Sequence, residues 1–328
     1  MTTNRALEIK EFLASHGWDA ATHAPFAGDF SSRKYARLTK PSGKTAVLMD
    51  AAADQKSDVF VAVAHILKNA GIAAPEIYAA DPHRGLILMQ DFGTRNIGSA
   101  IDAGAPMQGF ADKAVGLLAT AHAKCDLASA HKIGLPLYNA HTFAKQAGLF
   151  LDHYIPRVLH RDANTDERQA FYNAWLKVFD QTHHIPSGIL LRDFMFDNLM
   201  ELPNGGVGVL DFQDAGIGPI SYDIASLCEE VRRDGGFDLL HDAVHKYCAQ
   251  SVLTTEKTQL FQSCIACSAQ RHIRILGILA RMAESGRYDK AAHMGRVENF
   301  VQKVLKYDNL EPVRNFMLET NLLIPTNR

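Results

Sequence analysis

Between Gly188 and Leu227 the chain reads GILLRDFMFDNLMELPNGGVGVLDFQDAGIGPISYDIASL. Three residues of this stretch could act together on a charged substrate: Asp193, Asn198 and Asp211. Two short apolar runs, Gly188–Leu191 and Val207–Phe212, read as buried strand segments. Leu199–Leu202 and Val207–Leu210 can pair as a hairpin, because Pro203-Asn204-Gly205-Gly206 between them is turn chemistry. That hairpin folds Asp211 back toward the loop carrying Asp193 and Asn198. Two carboxylates and an amide oxygen are hard ligands, the kind Mg²⁺ takes while keeping several waters. Asp211 also stands between Leu210 and Phe212, where a carboxylate without a partner is costly and a bound cation would meet the cost.

The elements that must hold these residues come from the rest of the chain. Its 328 residues suffice for one large domain or two lobes, each with a core. At 47% apolar residues the composition is globular. A formal net charge of −2 gives no basic excess for nucleic acid or an anionic membrane. Five cysteines, an odd number in a long chain, suggest reduced thiols rather than a disulfide framework. Cys264 and Cys267 fall in a helical pattern on one face and read as small core residues. The N-terminus mixes both charge signs, lacks the apolar core of a signal peptide, and places Leu7, Phe12 and Leu13 on one helical face. No apolar run approaches the ~18 residues needed to span a bilayer. A soluble, cytoplasmic protein is expected.

Along the first 95 residues the pattern is short strands. Gly28–Leu38, a turn at Pro41-Ser42-Gly43, and Thr45–Met49 read as a hairpin. Val59, Phe60, Val63, Ile66 and Leu67 have helical spacing over about 54–69, with Gly71 placed to stop the helix. Short strands follow near Ile77–Ala79 and at Leu86–Met89, separated by the turn at Asp81–Gly85. From about Ala111 helical periodicity dominates, over 112–122, 143–160, 166–182, 223–232 and beyond Phe237. The fold class is therefore α+β: a small antiparallel β-rich lobe over 1–95 and a larger helical lobe over 96–328, joined near Gln90–Gly98.

The order D-x-x-x-x-N, hairpin, D-F resembles the catalytic and metal-binding loops of protein kinases. The continuation D-F-Q-D-A-x-x-G-P-x-x-Y-D-I-A-S-L departs from protein kinases. It resembles the aminoglycoside phosphotransferase family, a kinase-like family of small-molecule kinases. Within it the chain is most similar to the cell-wall recycling kinases that phosphorylate N-acetylmuramate and N-acetylglucosamine at the anomeric hydroxyl. The resemblance covers nearly the whole chain. It implies a two-lobed kinase-like fold with ATP between the lobes, and an ATP- and Mg²⁺-dependent transfer to a hydroxyl of a small molecule. It makes Asp193 the general base, or the group that orients the acceptor hydroxyl, and Asn198 and Asp211 the metal ligands. Ser31, Ser32, Arg33 and Lys34 would form the loop that covers the phosphates, and backbone groups near Gln90 and Phe92 would meet adenine. Asp214 reads as a supporting or substrate-facing carboxylate, and Asp223 as a helix N-cap.

Two departures from the pattern stand out. Leu191 occupies the place of a His that normally supports the catalytic loop. Met49 occupies the place of the lysine on the third strand, and the helix that follows has no Glu to pair with one. Phosphate charge would then fall to Mg²⁺ and to Arg33, Lys34 or Lys44. Those departures also favour a second reading, a nucleotide-binding module with little catalysis. An aminoglycoside or other small alcohol is the alternative acceptor. An acidic acceptor would want a cation, for which Arg161, Arg192 and Arg271 are available. Oligomeric state is not legible.

Overall fold

The computed structural model describes residues 2–26, 33–51, 56–233, 236–287 and 292–322. Its elements begin with α1 (Thr2–Ser15), β1 (Thr22–Pro25), β2 (Lys34–Thr39), β3 (Thr45–Asp50), α2 (Ser57–Asn69), β4 (Ile77–Asp81) and β5 (Leu86–Met89). Then come α3 (Ile97–Asp102), α4 (Met107–Lys124), α5 (Leu127–Lys132) and α6 (Ala140–Ala147). A π-helical turn at Phe150–Tyr154 runs into α7 (Ile155–Leu159), followed by α8 (Thr165–Asp180), β6 (Ser187–Leu190), β7 (Leu199–Glu201), β8 (Val207–Val209) and β9 (Gly216–Pro219). The rest is helical: α9 (Ser221–Cys228), α10 (Gly236–Gln250), α11 (Lys257–Glu284), and two closing helices, Met294–Val304 and Glu311–Glu319.

Contacts group the chain into two compact units. The first comprises Met1–Ala105, Lys124–Leu135 and Phe196–Ala215, the second Pro106–Ala123, Pro136–Met195 and Gly216–Arg328. A single boundary near residue 95 is the simpler division that the sequence suggests. Residues 196–215 join the first unit because the β7–β8 hairpin is tied to it by backbone: Val209 N–H donates to Ala73 O and Glu201 N–H to Arg95 O.

The first unit carries an antiparallel sheet of order β1-β2-β3-β5-β4. Period-two alternation sorts its faces. Ala46 and Leu48 of β3 turn to a core with Leu38, Leu86, Leu88, Trp18, and Phe12 and Leu13 of α1. Val47, between them, faces the opposite way and lines a cleft. Of the three apolar residues read on one face of α1, Phe12 and Leu13 are buried and Leu7 is 53% exposed. The edge strand β1 was not expected: all four residues are exposed, so it has no apolar alternation, and its Pro25 suits an edge.

The second unit is mainly helical. α11 runs 28 residues and packs against α6, α9, α10 and Met294–Val304. Cys264 and Cys267 lie on its buried face. Burial pushes both thiols up, Cys267 to about 12, which keeps them protonated and unreactive. The α+β class and the β-rich and helical lobes are those the sequence led us to expect. Among the described residues no helix is long and apolar enough to cross a membrane.

Candidate active site

A cleft of about 720 Å³ opens in the first unit. Val47 and Met89 line it from the sheet, Gln90–Thr94 from the connection after β5, and Asn198, Met200, Leu210 and Asp211 from the β7–β8 hairpin. The hairpin forms as its turn residues predict, with Leu199 opposite Val209 and Leu202 N–H donating to Gly206 O at 3.0 Å. Its register continues one step past the strands, where Leu210 N–H donates to Asn198 O at 2.9 Å. Asn198 and Asp211 thereby line one cleft, as the spacing anticipates.

Asp211 has a left-handed backbone, φ 59°, rare for a residue with a side chain. Such strain persists where the surroundings over-determine it, often at a functional site. Here the next residue supplies the hold: Phe212 stacks on Phe60 of α2, centroids 4.6 Å apart and 10° from parallel. Tyr35 of β2 shares the cleft. Burial first, and then the Asp211 charge, push its hydroxyl up to about 12, while a hydrogen bond from Arg33 pulls the other way. Arg33, Tyr35 and Asp211 thus interact in one place. Sequence reading missed Tyr35, because a tyrosine in a half-buried strand is ordinary core material.

The connection after β5 is held by a second feature the sequence did not reveal. Arg37 of β2 grips Asp91 with two bonds, Nε to Oδ2 at 2.7 Å and Nη2 to Oδ1 at 3.0 Å, and also donates to Gly93 O. Burial raises the Asp91 pKa, but the bonds from Arg37 and the Gly93 N–H outweigh it and hold the carboxyl below its ordinary range. Gln90 N–H is already spent on Glu76 O at 2.8 Å, so the carbonyl is the Gln90 backbone group left for a base. Phe92 packs on β8 at Gly208, where a Cβ would lie 2.7 Å from its ring. That glycine lets the ring seat at the edge of the cleft.

Asp193 belongs to the second unit, on the loop after β6. β6 pairs antiparallel with β9. Arg192 has φ 70°, and Asp193 N–H donates to Leu191 O at 2.9 Å. Asp223 holds this turn. Its carboxylate accepts the Leu191 N–H at 2.6 Å and the Arg192 N–H at 3.0 Å. The N-cap reading of Asp223 is corrected: α9 starts at Ser221 behind Ile220, which makes no side-chain cap, and Asp223 points back at the loop. Full burial lifts its pKa to about 6, against the opposing pull of the two N–H bonds. The Arg192 guanidinium lies over Tyr138 at 4.0 Å and over Tyr222 at 4.6 Å. Leu191 is buried, and its backbone N–H is held by the Asp223 carboxylate.

Lys34 and Arg33 line the cleft, while Ser31 and Ser32 lie outside the described residues. Lys44 is removed from the list of phosphate cations: it sits at the β2–β3 turn with its ammonium over the Tyr78 ring. Met49 is buried in the sheet, with Tyr35 and Ile87 as its register partners. Asp214 pairs with Lys56 at 2.9 Å at the start of α2. Arg161 is tied at the surface to Glu167.

For Mg²⁺ the donor set fits. Asn198 and Asp211, which both line the cleft, carry one amide and one carboxylate group, and among the described residues no cluster of three or more His, Cys, Asp or Glu forms a cage. Magnesium is commonly held by one or two carboxylates together with substrate phosphates and waters.

A family model described as "Phosphotransferase enzyme family" matches residues 22–261. The chain belongs to this family. An N-acetylmuramate/N-acetylglucosamine kinase of Pseudomonas putida is 28% identical over 305 residues, covering 89% of this chain and 86% of that protein. The enzyme of the same description from Neisseria meningitidis is 28% identical over 302 residues, covering 89% of each. Among solved structures, a choline/ethanolamine kinase family protein from Mesorhizobium loti superposes with TM-score 0.65 at 12% identity, covering 96% of this chain and all of that one. A choline kinase from Streptococcus pneumoniae gives 0.65 at 14%, covering 94% and 99%. The fold is that of these kinases, and the chain is a small-molecule kinase.

Proposed function

We propose that this enzyme transfers the γ-phosphoryl group of ATP to a hydroxyl of a small molecule, foremost the anomeric hydroxyl of an N-acetyl amino sugar such as N-acetylmuramate or N-acetylglucosamine. The observation that carries the reaction class is the pair Asn198 and Asp211 on one cleft with the Gln90–Phe92 connection. The acceptor rests on the names of the relatives.

In this reading the adenine meets the Gln90 carbonyl and the Phe92 backbone, between Val47 and the hairpin residues. Arg33 and Lys34 bind phosphate oxygens, a role suited to charge-assisted donors. Asn198 and Asp211 hold Mg²⁺, which neutralises phosphate charge when bound. Asp193 accepts the proton of the sugar hydroxyl as its oxygen bonds to phosphorus, and the bond from the γ-phosphorus to the bridging oxygen breaks with its electrons leaving on ADP. The Asp223 carboxylate and the stacked Arg192 keep Asp193 in place. Transfer of this kind is mostly positioning and charge stabilisation. A cytoplasmic location fits a supply of ATP.

Buried Met49 and Leu191 favour one second reading, a kinase-like module that binds nucleotide with little turnover. A mass-spectrometric transfer assay separates the two. It uses Mg²⁺–ATP with N-acetylmuramate, N-acetylglucosamine, glucose, aminoglycosides and choline, and Asp193→Asn as control. Phosphate on an amino sugar, lost in the control, is expected. Transfer to an aminoglycoside or choline alone would overturn the acceptor, and nucleotide binding without any transfer would favour the module.

A further inference from the structure

Two arginines of α11 each keep one buried guanidinium nitrogen without a hydrogen-bond partner. Arg271 is 4% exposed, and its Nη1 is buried without a hydrogen-bond partner. The same holds for Nε of Arg274, one helical turn on. Residues three apart share a helix face. The hydroxyl of Tyr222 is likewise buried and unbonded.

Two other buried arginines of the second unit are held by protein groups. Arg233 is bonded to Glu230 at 2.5 Å, and Arg192, whose Nη1 is also buried without a hydrogen-bond partner, lies over two tyrosine rings. Arg271 has neither arrangement. Burial weighs against its charge, and the groups that act on it are Tyr222, Asp193, Arg274 and Glu230. Glu230 is committed to Arg233, and Asp193 is the proposed base. A buried guanidinium that no carboxylate bonds is costly. Its planar fork of N–H donors matches a carboxylate.

We propose that Arg271, with Arg274 beside it, binds the carboxylate of an acidic acceptor whose hydroxyl lies at Asp193. The site then favours an acid-bearing sugar over its neutral counterpart. This rests on the amino-sugar reading above, and that reading supplies the pair of probes: N-acetylmuramate carries a carboxylate and N-acetylglucosamine does not.

The test compares kcat/KM for the two sugars in the wild type, Arg271→Gln, Arg271→Lys and Arg274→Gln, with thermal unfolding of each. In Arg271→Gln the acid-to-neutral ratio of kcat/KM is expected to fall about 10- to 100-fold, chiefly through KM of the acid sugar, the loss for a hydrogen bond to a charged group. Arg271→Lys should recover part of it, and Arg274→Gln should shift the ratio in the same direction. Should Arg271→Gln fail to fold, the Lys and Arg274 variants carry the ratio. Equal loss on both sugars would overturn the proposal, since it would mean that Arg271 serves the phosphoryl group or the fold. A wild type that phosphorylates neither sugar would overturn the acceptor reading itself, and is seen before any variant is made.

Discussion

Replacing Asp223 by Asn separates positioning from stability. The buried carboxylate accepts the N–H groups of Leu191 and Arg192, at 2.6 and 3.0 Å. Burial lifts its pKa from 3.8 to about 6. At about 1.36 kcal/mol per pKa unit, the ionised form at pH 7 carries a folding cost of roughly 3 kcal/mol. The neutral amide removes that cost. It also has a single acceptor oxygen, so one backbone N–H is left facing an NH₂ group, for about 1–3 kcal/mol. The two effects oppose each other at similar size, and the net change in stability should stay under about 2 kcal/mol. Activity has no such compensation. The left-handed Arg192 stores strain of about 1–3 kcal/mol and loses half its clamp, with Asp193 next in the chain. A shift of about 1 Å at a reacting group costs on the order of 100-fold.

Steady-state kcat for Asp223→Asn should therefore drop about 100-fold, while the urea midpoint moves little. The pH dependence of stability gives an independent check. A group whose pKa is raised on folding stabilises fully below its unfolded value, and that stabilisation is lost as pH rises through the folded value. The wild type should thus lose roughly 3 kcal/mol relative to Asp223→Asn between about pH 4 and pH 6. A kcat within threefold of the wild type, a loss of activity matched by the unfolded fraction, or a flat stability difference across that pH range would refute the reasoning.

Arg37→Met should raise KM for ATP about tenfold and leave KM for the acceptor alone, because it leaves the Asp91 carboxylate, 4% exposed, with one fewer charged partner at the adenine connection. Unchanged nucleotide affinity by isothermal titration would count against that role. Gly216→Ala places a Cβ 2.2 Å from the Tyr138 ring, which underlies Arg192, and should cost about 1–3 kcal/mol in urea unfolding together with a fall in kcat. An unaltered midpoint would show that Tyr138 yields freely.

The parts legible in the sequence were those with local chemistry. Pro203–Gly206 fixes a turn, the turn fixes the hairpin register, and the register brings Asn198 and Asp211 to one cleft. The helix α2 was legible from its apolar spacing to within a few residues. What escaped were choices made by distant partners. β9 reads Gly216-Ile217-Gly218-Pro219, poor strand material; the Tyr138 ring and Pro136 backbone leave no room for a Cβ at Gly216, and Leu190 and the Tyr138 backbone leave none at Gly218. The Arg37–Asp91 grip spans 54 positions and has no local signature. Asp223 near a helix start carries a true local preference for capping, and a contact 32 residues away overrode it. Likewise no spacing rule says which arginine is tied at the surface, as Arg161 is, and which is buried, as Arg271 is.

The claim of phosphoryl transfer to an anomeric hydroxyl is tested most directly by nuclear magnetic resonance of the product formed from N-acetylglucosamine and N-acetylmuramate with Mg²⁺–ATP. Phosphorus coupling at the anomeric proton and carbon and loss of the reducing end are expected, abolished in Asp193→Asn and in Asp211→Asn. Coupling at any other carbon, or the same product yield from those two variants, would contradict it.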